Sequence, residues 1–249
     1  MSLFHNTDRE WKSWEKRDLY YAVLSHPEYR NRQNLEDFFA TGENLFARFL
    51  DDFERFSIPL DPSGNALDFG CGVGRLLIPF GKFFRHTSGI DVSKDMLEEA
   101  HKNIDSKTTE LRLFDGEDLS LCLSDEPYAF IHTRLVLQHI RPNRGFGLIR
   151  QLLERLDTNG KACIQAPMMA KSRVVHFLNE VRSIHPISFK LSELFLRKDR
   201  ALEDPVTEMN LYPSDTMLKL VDELGIEVRG IALDTHRSLT SAVWYLFRP

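Results

Sequence analysis

The sequence contains little cysteine and no apolar run long enough to cross a membrane. Its three cysteines, Cys71, Cys122 and Cys163, lack C-x-x-C spacing and have apolar or glycine neighbours. This pattern predicts reduced thiols that pack in the interior, and it indicates no metal site. Residues 1–18 are dense in charge and lack the apolar core of a signal peptide. We therefore expect a soluble, cytoplasmic protein that does not act on membranes.

The sequence also lacks an excess of positive charge. The formal net charge is −5 and the isoelectric point is about 6.0, so the chain as a whole has no basic surface for nucleic acid. Hydrophobic residues make up 42% of the 249 residues, which is enough for a substantial core. Length alone allows one large domain or two small ones.

Strand-like and helical patterns alternate after a helical N-terminal stretch. Residues 8–57 show helical spacing of apolar residues, and Pro27 separates two such patterns. The first strand follows a turn at 61–64, and further strands are predicted at 87–92, 111–114, 128–132, 162–165, 226–233 and 242–247. Helices are predicted at 74–84, from the Ser93 cap to His101, near 147–156 and at 214–224. This alternation predicts an α/β fold with a parallel sheet that ends in an antiparallel hairpin.

The most informative stretch runs from Asn65 to Leu77, where a short apolar run turns into a helix. Gly70, Gly72 and Gly74 follow each other at every second position. Glycine has no Cβ, so these residues can adopt positive φ and let a ligand lie directly on the backbone. The spacing G-x-G-x-G differs from the G-x-G-x-x-G of dinucleotide sites, so NAD is disfavoured. A turn with a purely structural role remains the alternative.

This stretch resembles motif I of the class I S-adenosylmethionine (SAM) dependent methyltransferases, with Asp68 as the acidic residue two before the first glycine. The resemblance implies a doubly wound, Rossmann-like sheet of seven strands. The helical pattern near the N-terminus and the loss of strand-like patterns after Pro167 predict a helical extension at residues 1–57 and a core at 58–249 with a helical lid at 168–213. The cofactor would be SAM, with S-adenosylhomocysteine (SAH) as its product. Contacts to the cofactor would come from Asp68, Gly70, Cys71, Gly72, Gly74 and Arg75.

Acidic residues end the next two predicted strands, as the resemblance requires. Asp91 can accept both ribose hydroxyls, because an ionised carboxylate has two acceptor oxygens; its alternative role is to cap the following helix. Asp115 and Gly116 match the adenine motif, and a solvated turn is the alternative. The resemblance adds further cofactor residues: Val92, Met96, Glu117, Thr133 at the sulfonium, and Tyr20 and Tyr21 over the mouth of the site. The two tyrosines can instead be core residues.

Candidates for chemistry and for the methyl acceptor are fewer. The segment Leu137-Gln138-His139 resembles that of small-molecule methyltransferases of quinone biosynthesis. His139 could act as general base or merely help to close a helical turn. We expect His132, inside the preceding strand, to pack in the core. Candidates for the acceptor pocket are Met168, Met169, Arg173, His176 and Tyr212.

The lid carries an excess of basic residues. Between residues 171 and 200, seven Lys or Arg side chains stand against three acids. Such a segment could attract a carboxylate or phosphate on the acceptor, or it could be a solvated helix face.

The sequence therefore predicts an enzyme, a SAM-dependent methyltransferase that acts on a small molecule. The Asn/Asp-Pro-Pro-Tyr/Phe signature of enzymes that methylate bases or glutamine is absent. A methyltransferase for RNA or protein is the first alternative, and a protein that binds SAM or SAH without turnover is the second. All three share one fold, so the fold cannot separate them.

Overall fold

A computed structural model describes residues 18–116, 118–170, 209–236 and 239–249. These residues form one mixed sheet with helices on both faces. The helices are listed by their bounds: α1 Leu19–Leu24, α2 Leu35–Arg55, α3 Leu77–Phe83, α4 Lys94–Asn103, α5 Pro142–Glu154 and α6 Ser214–Glu223. The strands are β1 Asn65–Phe69, β2 His86–Asp91, β3 Thr109–Leu113, β4 Tyr128–Thr133, β5 Leu156–Ala170, β6 Glu227–His236 and β7 Leu239–Phe247. Short 3₁₀ turns cover Pro27–Arg32, Leu119–Leu121 and Leu137–His139.

The sheet has the strand order β3-β2-β1-β4-β5-β7-β6. Neighbouring strands from β3 to β5 are parallel, whereas β7 runs antiparallel to both β5 and β6. The predicted α/β fold, with seven strands and a C-terminal antiparallel hairpin, is confirmed. Because β1 lies between β2 and β4, the chain reverses its direction of winding at β1, and a crevice opens there at the carboxyl ends of the strands.

Two apolar clusters cover the two faces of the sheet. On one face, α2 and α3 pack aromatic side chains such as Phe53 and Phe80 against Phe130 of β4 and Tyr245 of β7. On the other face, α5 and α6 cover a larger cluster of aliphatic side chains. These clusters hold the strand ends in register, so the side chains at the crevice have fixed positions.

Several element boundaries differ from the predictions for physical reasons. Helix α3 begins at Leu77 rather than at residue 74, so Pro79 falls in the first turn, where its missing N–H is not needed. Strand β5 extends to Ala170 because β7 pairs with it as far as Leu239. Helix α6 begins at the predicted residue, Ser214, and Pro213 occupies its N-cap. Cys71, Cys122 and Cys163 are free and buried.

Parts of two predictions lie outside the described residues. These are most of the lid, at residues 171–208, and the start of the N-terminal helical pattern, at residues 8–17. Within the part of the chain that the structure describes, none of the helices has the length and apolar character required to cross a membrane.

Candidate functional site

A cleft lies where β1, β2 and β4 end. It contains about 910 Å³ of empty space, including the open solvent at its mouth. Its walls combine the glycine turn after β1 with apolar side chains from several elements, among them Val23, Met96, Phe114 and Val136. A ligand in this cleft would therefore contact the backbone of the turn and these apolar side chains, together with the charged side chains of Asp68, Arg75 and Asp91, which also line it.

The glycine turn has the conformation that the sequence predicts. Gly70, Gly72 and Gly74 have φ values of 79°, 53° and 84°. The N–H groups of Gly70 and Cys71 donate to the carbonyl of Ile90, at 2.7 and 3.1 Å, which ties the turn to β2. A Cβ added at Gly70 would lie 2.1 Å from Cγ2 of Val136. The absence of a side chain here lets the turn and the loop after β4 meet across the cleft.

Asp91 holds the glycine turn and faces the cleft. Its Oδ2 accepts from the N–H of Gly72 at 2.8 Å, and its Oδ1 accepts from the N–H of Ser93 at 2.9 Å. Burial raises the pKa of Asp91 to about 6, and backbone hydrogen bonds from Ser93, Gly72 and Val92 oppose that rise. The carboxylate thus braces the turn and also lines the cavity, where its remaining lone pairs can accept hydroxyl groups.

Asp68 and His132 form a buried pair in the wall of the cleft. The strands β1 and β4 place them side by side, and 2.7 Å separate Asp68 Oδ1 from His132 Nδ1. Both side chains are at most 5% exposed. Nε2 of His132 is buried and has no hydrogen-bond partner among the described residues. His132 packs against Phe49 and Phe80, as expected for a core residue, but it also reaches the cleft.

Arg75 is a buried cation in the same wall. Only 6% of the residue is exposed, and its Nη1 donates to Oγ1 of Thr41 at 3.1 Å. Its Nε has no partner in the described part of the chain. Burial lowers the pKa of Arg75 to about 10, with the charge of Arg134 as the next cause. Gly42 of α2 permits this packing, since a Cβ there would lie 2.4 Å from the carbonyl oxygen of Arg75.

A second wall follows β4 and carries residues that the sequence motifs do not reveal. Arg134 pairs with Asp234 of β6, and Nε2 of Gln165 donates to the same carboxylate at 2.8 Å. The side-chain oxygen of Gln165 accepts from the N–H of Leu135 at 2.8 Å. Leu135 has a φ of 61°, an unusual value for a bulky residue. These long-range contacts hold a strained loop against the cleft, and only the three-dimensional register brings them together.

The structure brings many of the predicted site residues to the cleft. Those that line it are Asp68, Gly70, Cys71, Gly72 and Arg75, followed by Asp91, Val92, Met96 and His139. His139 is 7% exposed and lies in the 3₁₀ turn, and its Nε2 is 3.0 Å from the side-chain nitrogen of Gln138. Both roles considered for His139, in chemistry and in the turn, are compatible with this position.

Other predicted residues lie near the cleft without lining it. Tyr20 and Tyr21 are buried in α1, whereas Val23 of the same helix reaches the cavity. Thr133 is fully buried, and its hydroxyl has no partner among the described residues. Gly74 completes the glycine turn.

At the adenine motif, Asp115 is exposed, and the carbonyl of Gly116 accepts from Arg144, which lines the cleft. Glu117 lies outside the described residues.

The candidates for the acceptor pocket are dispersed. Met168 and Met169 are 40% and 55% exposed near the end of β5. Tyr212 is buried beside α5 and donates to the carbonyl of Ile140 at 2.8 Å, so it supports the cleft from behind. Arg173 and His176 lie outside the described residues. Among the residues that the structure describes, no cluster of three His, Cys, Asp or Glu side chains could hold a metal ion.

Solved structures with the same fold were found. Magnesium protoporphyrin IX methyltransferase from Synechocystis PCC 6803, solved with bound SAM, aligns over 100% of both chains with a TM-score of 0.62 and 13% identity. A SAM-dependent methyltransferase from Anabaena variabilis ATCC 29413 aligns over 100% of this chain and 98% of that chain, with a TM-score of 0.62 and 18% identity. At such identities the likeness establishes the fold alone.

The fold, with its cleft beside β1, defines a class I methyltransferase architecture. Residues 41–230 match the Methyltransferase domain family, and this match covers well over half of the chain. The chain belongs to that family. No curated protein matches the sequence significantly.

Proposed function

We propose that the protein transfers a methyl group from SAM to a small-molecule acceptor. The observation that carries this proposal is the Asp91 carboxylate, which braces the turn of positive-φ glycines while it faces the cleft. An adenosyl ligand needs such a pair of features: an acceptor for its ribose hydroxyls and a backbone surface free of side chains. Family membership and the SAM-bound neighbour support the same cofactor.

The residues present fit SAM. Gly70 and Gly72 leave a cradle that a Cβ would disturb, since added atoms would lie 2.1 Å from Val136 and 3.2 Å from Val23. Asp91 would accept the ribose hydroxyls. Asp68 and Arg75, of opposite charge, lie at the glycine end of the cleft, where they would face the ammonium and carboxylate groups of the methionine part.

When bound, SAM supplies an electrophilic methyl group on a positively charged sulfur. The protein has to align the acceptor with that group and exclude water, and alignment alone can contribute about 7 to 11 kcal/mol to such reactions. The apolar walls of the cleft, with Phe114 and Val136, would exclude water. Where the acceptor must lose a proton, two imidazoles line the cleft, those of His139 and His132.

A small molecule is the favoured acceptor because the chain has a formal net charge of −5 and lacks the Pro-Pro signature of base and glutamine methylation. Methylation of RNA or protein is the first alternative. The second is binding of SAM or SAH without turnover. We propose a cytoplasmic location, in agreement with the sequence.

Two experiments test this function, the first for the cofactor and the second for the methyl acceptor. Titration calorimetry with SAM and with SAH tests the cofactor, and the absence of heat at high ligand concentration would contradict the proposal. A methyl-release assay over a panel of metabolites, with RNA and protein pools as competitors, tests the acceptor. Turnover only on RNA or only on protein would favour the first alternative, and binding without any turnover would favour the second.

A further inference from the structure

Glu99 of α4 is a buried carboxylate outside the cleft. Only 3% of its side chain is exposed, and it accepts three hydrogen bonds: from Tyr20 Oη at 2.8 Å, from Arg32 Nη2 at 2.5 Å and from Lys102 Nζ at 2.9 Å. Tyr20 and Arg32 belong to the N-terminal segment, whereas Lys102 belongs to α4 itself. The carboxylate therefore joins two parts of the chain that are far apart in sequence.

Helices α1 and α4, which the hydrogen bond between Tyr20 and Glu99 joins, both line the cleft one helical turn away from that bond. Val23 lies three residues after Tyr20 in α1, and Met96 lies three residues before Glu99 in α4. Both Val23 and Met96 line the cavity. The methyl group Cγ2 of Val23 also lies over the glycine turn, 3.2 Å from the place of a Cβ on Gly72. A displacement of α1 would therefore remove one wall of the site.

A second contact links the same network to the glycine turn. The side-chain amide of Asn103 donates to the carbonyl of Val73, between Gly72 and Gly74, at 3.0 Å. The same amide lies 3.4 Å from Oη of Tyr20. Tyr20 also packs edge-on against Phe38 and Phe39 of α2, with ring centroids 5.0 and 6.1 Å away. The tyrosine is thus held by polar groups at its hydroxyl and by aromatic rings along its side.

We propose that Glu99 is a positioning residue, which keeps α1 closed over the glycine turn and so slows the release of an adenosyl ligand. This inference rests on the proposed function, because it assumes that SAM and SAH bind in the cleft. Neutralising a buried carboxylate that accepts hydrogen bonds from several charged donors costs much more stability than breaking an exposed ion pair. The hydrogen bond from Arg32 is the main cause that holds the pKa of Glu99 at about 2. Facing Arg32, Lys102 and Tyr20, the group stays ionised at neutral pH.

The test measures the association and dissociation rates of SAH together with hydrogen exchange of residues 18–34. We expect Glu99→Gln to raise the dissociation rate about tenfold, because it removes a charge that accepts three hydrogen bonds. Hydrogen exchange in α1 should rise, whereas exchange in the central strands β1 and β4 should change little. Glu110→Gln is the matched control: Glu110 forms an exposed ion pair with Arg112, so both rates should stay within about twofold.

Two further variants keep the inference testable if Glu99→Gln does not fold. Tyr20→Phe removes only the hydroxyl, and Arg32→Ala changes a side chain that is 56% exposed. Each should raise the dissociation rate about threefold, in parallel with exchange in α1. Faster exchange with an unchanged dissociation rate would overturn the inference while the proposed function stands. A wild-type protein that binds no SAH would contradict the proposed function itself.

Discussion

The two walls of the cleft are built in different ways. The wall formed by β1, β2 and the glycine turn uses contacts between residues near strand ends, such as Asp91 with the N–H groups of Gly72 and Ser93. The wall that follows β4 depends on partners far away in the sequence, such as Arg134 with Asp234. The glycine turn can carry a sequence motif because its shape depends on glycines two residues apart, whereas the contacts of the second wall leave no short motif in the sequence.

The largest effect is expected from Asp91 in the first wall. Replacing Asp91 by Ala should weaken SAH binding at least about 100-fold, because two hydrogen bonds to a charged group are worth about 1.5 to 3 kcal/mol each. Calorimetry measures the affinity. Asp118→Ala is the control, since Asp118 braces a turn in the same manner, with the N–H of Ser120 at 2.9 Å, but does not line the cleft. Undiminished affinity in Asp91→Ala would show that the ribose does not bind there.

The glycine turn should be nearly as sensitive. Gly70→Ala combines a φ of 79° with a contact of 2.1 Å to Val136, so we expect a loss of about 2 to 4 kcal/mol of unfolding free energy. Chemical denaturation measures it. Gly225 has a similar φ of 63°, and a Cβ there would meet no other atom within 4 Å. Gly225→Ala therefore measures the cost of backbone strain alone, about 1 kcal/mol of unfolding free energy. Equal losses at both positions would mean that the loop after β4 does not press against the turn.

The affinity for SAH should depend on pH through Asp91. Burial raises the pKa of its carboxyl to about 6 in the free protein, and ribose hydroxyls bind the ionised form. Binding should therefore weaken as the pH falls through 6, by about tenfold between pH 7 and pH 5. The stability of the free protein should depend on pH in the opposite direction. Because the pKa of Asp91 is raised in the folded state, the carboxyl group favours folding at low pH, and this contribution to the free energy of unfolding is lost as the pH rises from about 4 to 6.

Calorimetry at several pH values tests this dependence. The substitution Asp91→Asn removes the carboxyl group that titrates, so most of the dependence of SAH affinity on pH should disappear. A slope that is the same in the wild type and in Asp91→Asn would assign the dependence to another group.

A substitution in the wall that follows β4 should change the stability of the protein more than its affinity for the cofactor. Gln165→Leu leaves the N–H of Leu135 without its acceptor, which should lower the unfolding free energy by about 1 to 2 kcal/mol. We expect the affinity for SAH to change less than threefold, because the proposed function places the cofactor against the other wall. Thermal unfolding and calorimetry measure the two effects. A large loss of SAH affinity would mean that the two walls do not have separate roles.

The two walls of the cleft also differ in how much of their structure could be predicted from the sequence. The positive φ of Gly70, Gly72 and Gly74 was predictable, because glycine spacing and a preceding apolar run are local signals. The strained Leu135 was not, since a bulky residue gives no hint of a positive φ. The position of His132 in the cleft wall depends on its register with Asp68 across two strands, which the sequence does not state. Pairing with β7 likewise lengthens β5 beyond its apolar run.

One crystal structure of the protein with SAH tests the central claim most directly. We expect both ribose hydroxyls within hydrogen-bond distance of the Asp91 carboxylate, and the homocysteine part against Gly70 and Gly72. An adenosyl group bound elsewhere, or an Asp91 carboxylate turned away from the ribose, would contradict the proposed function of this cleft.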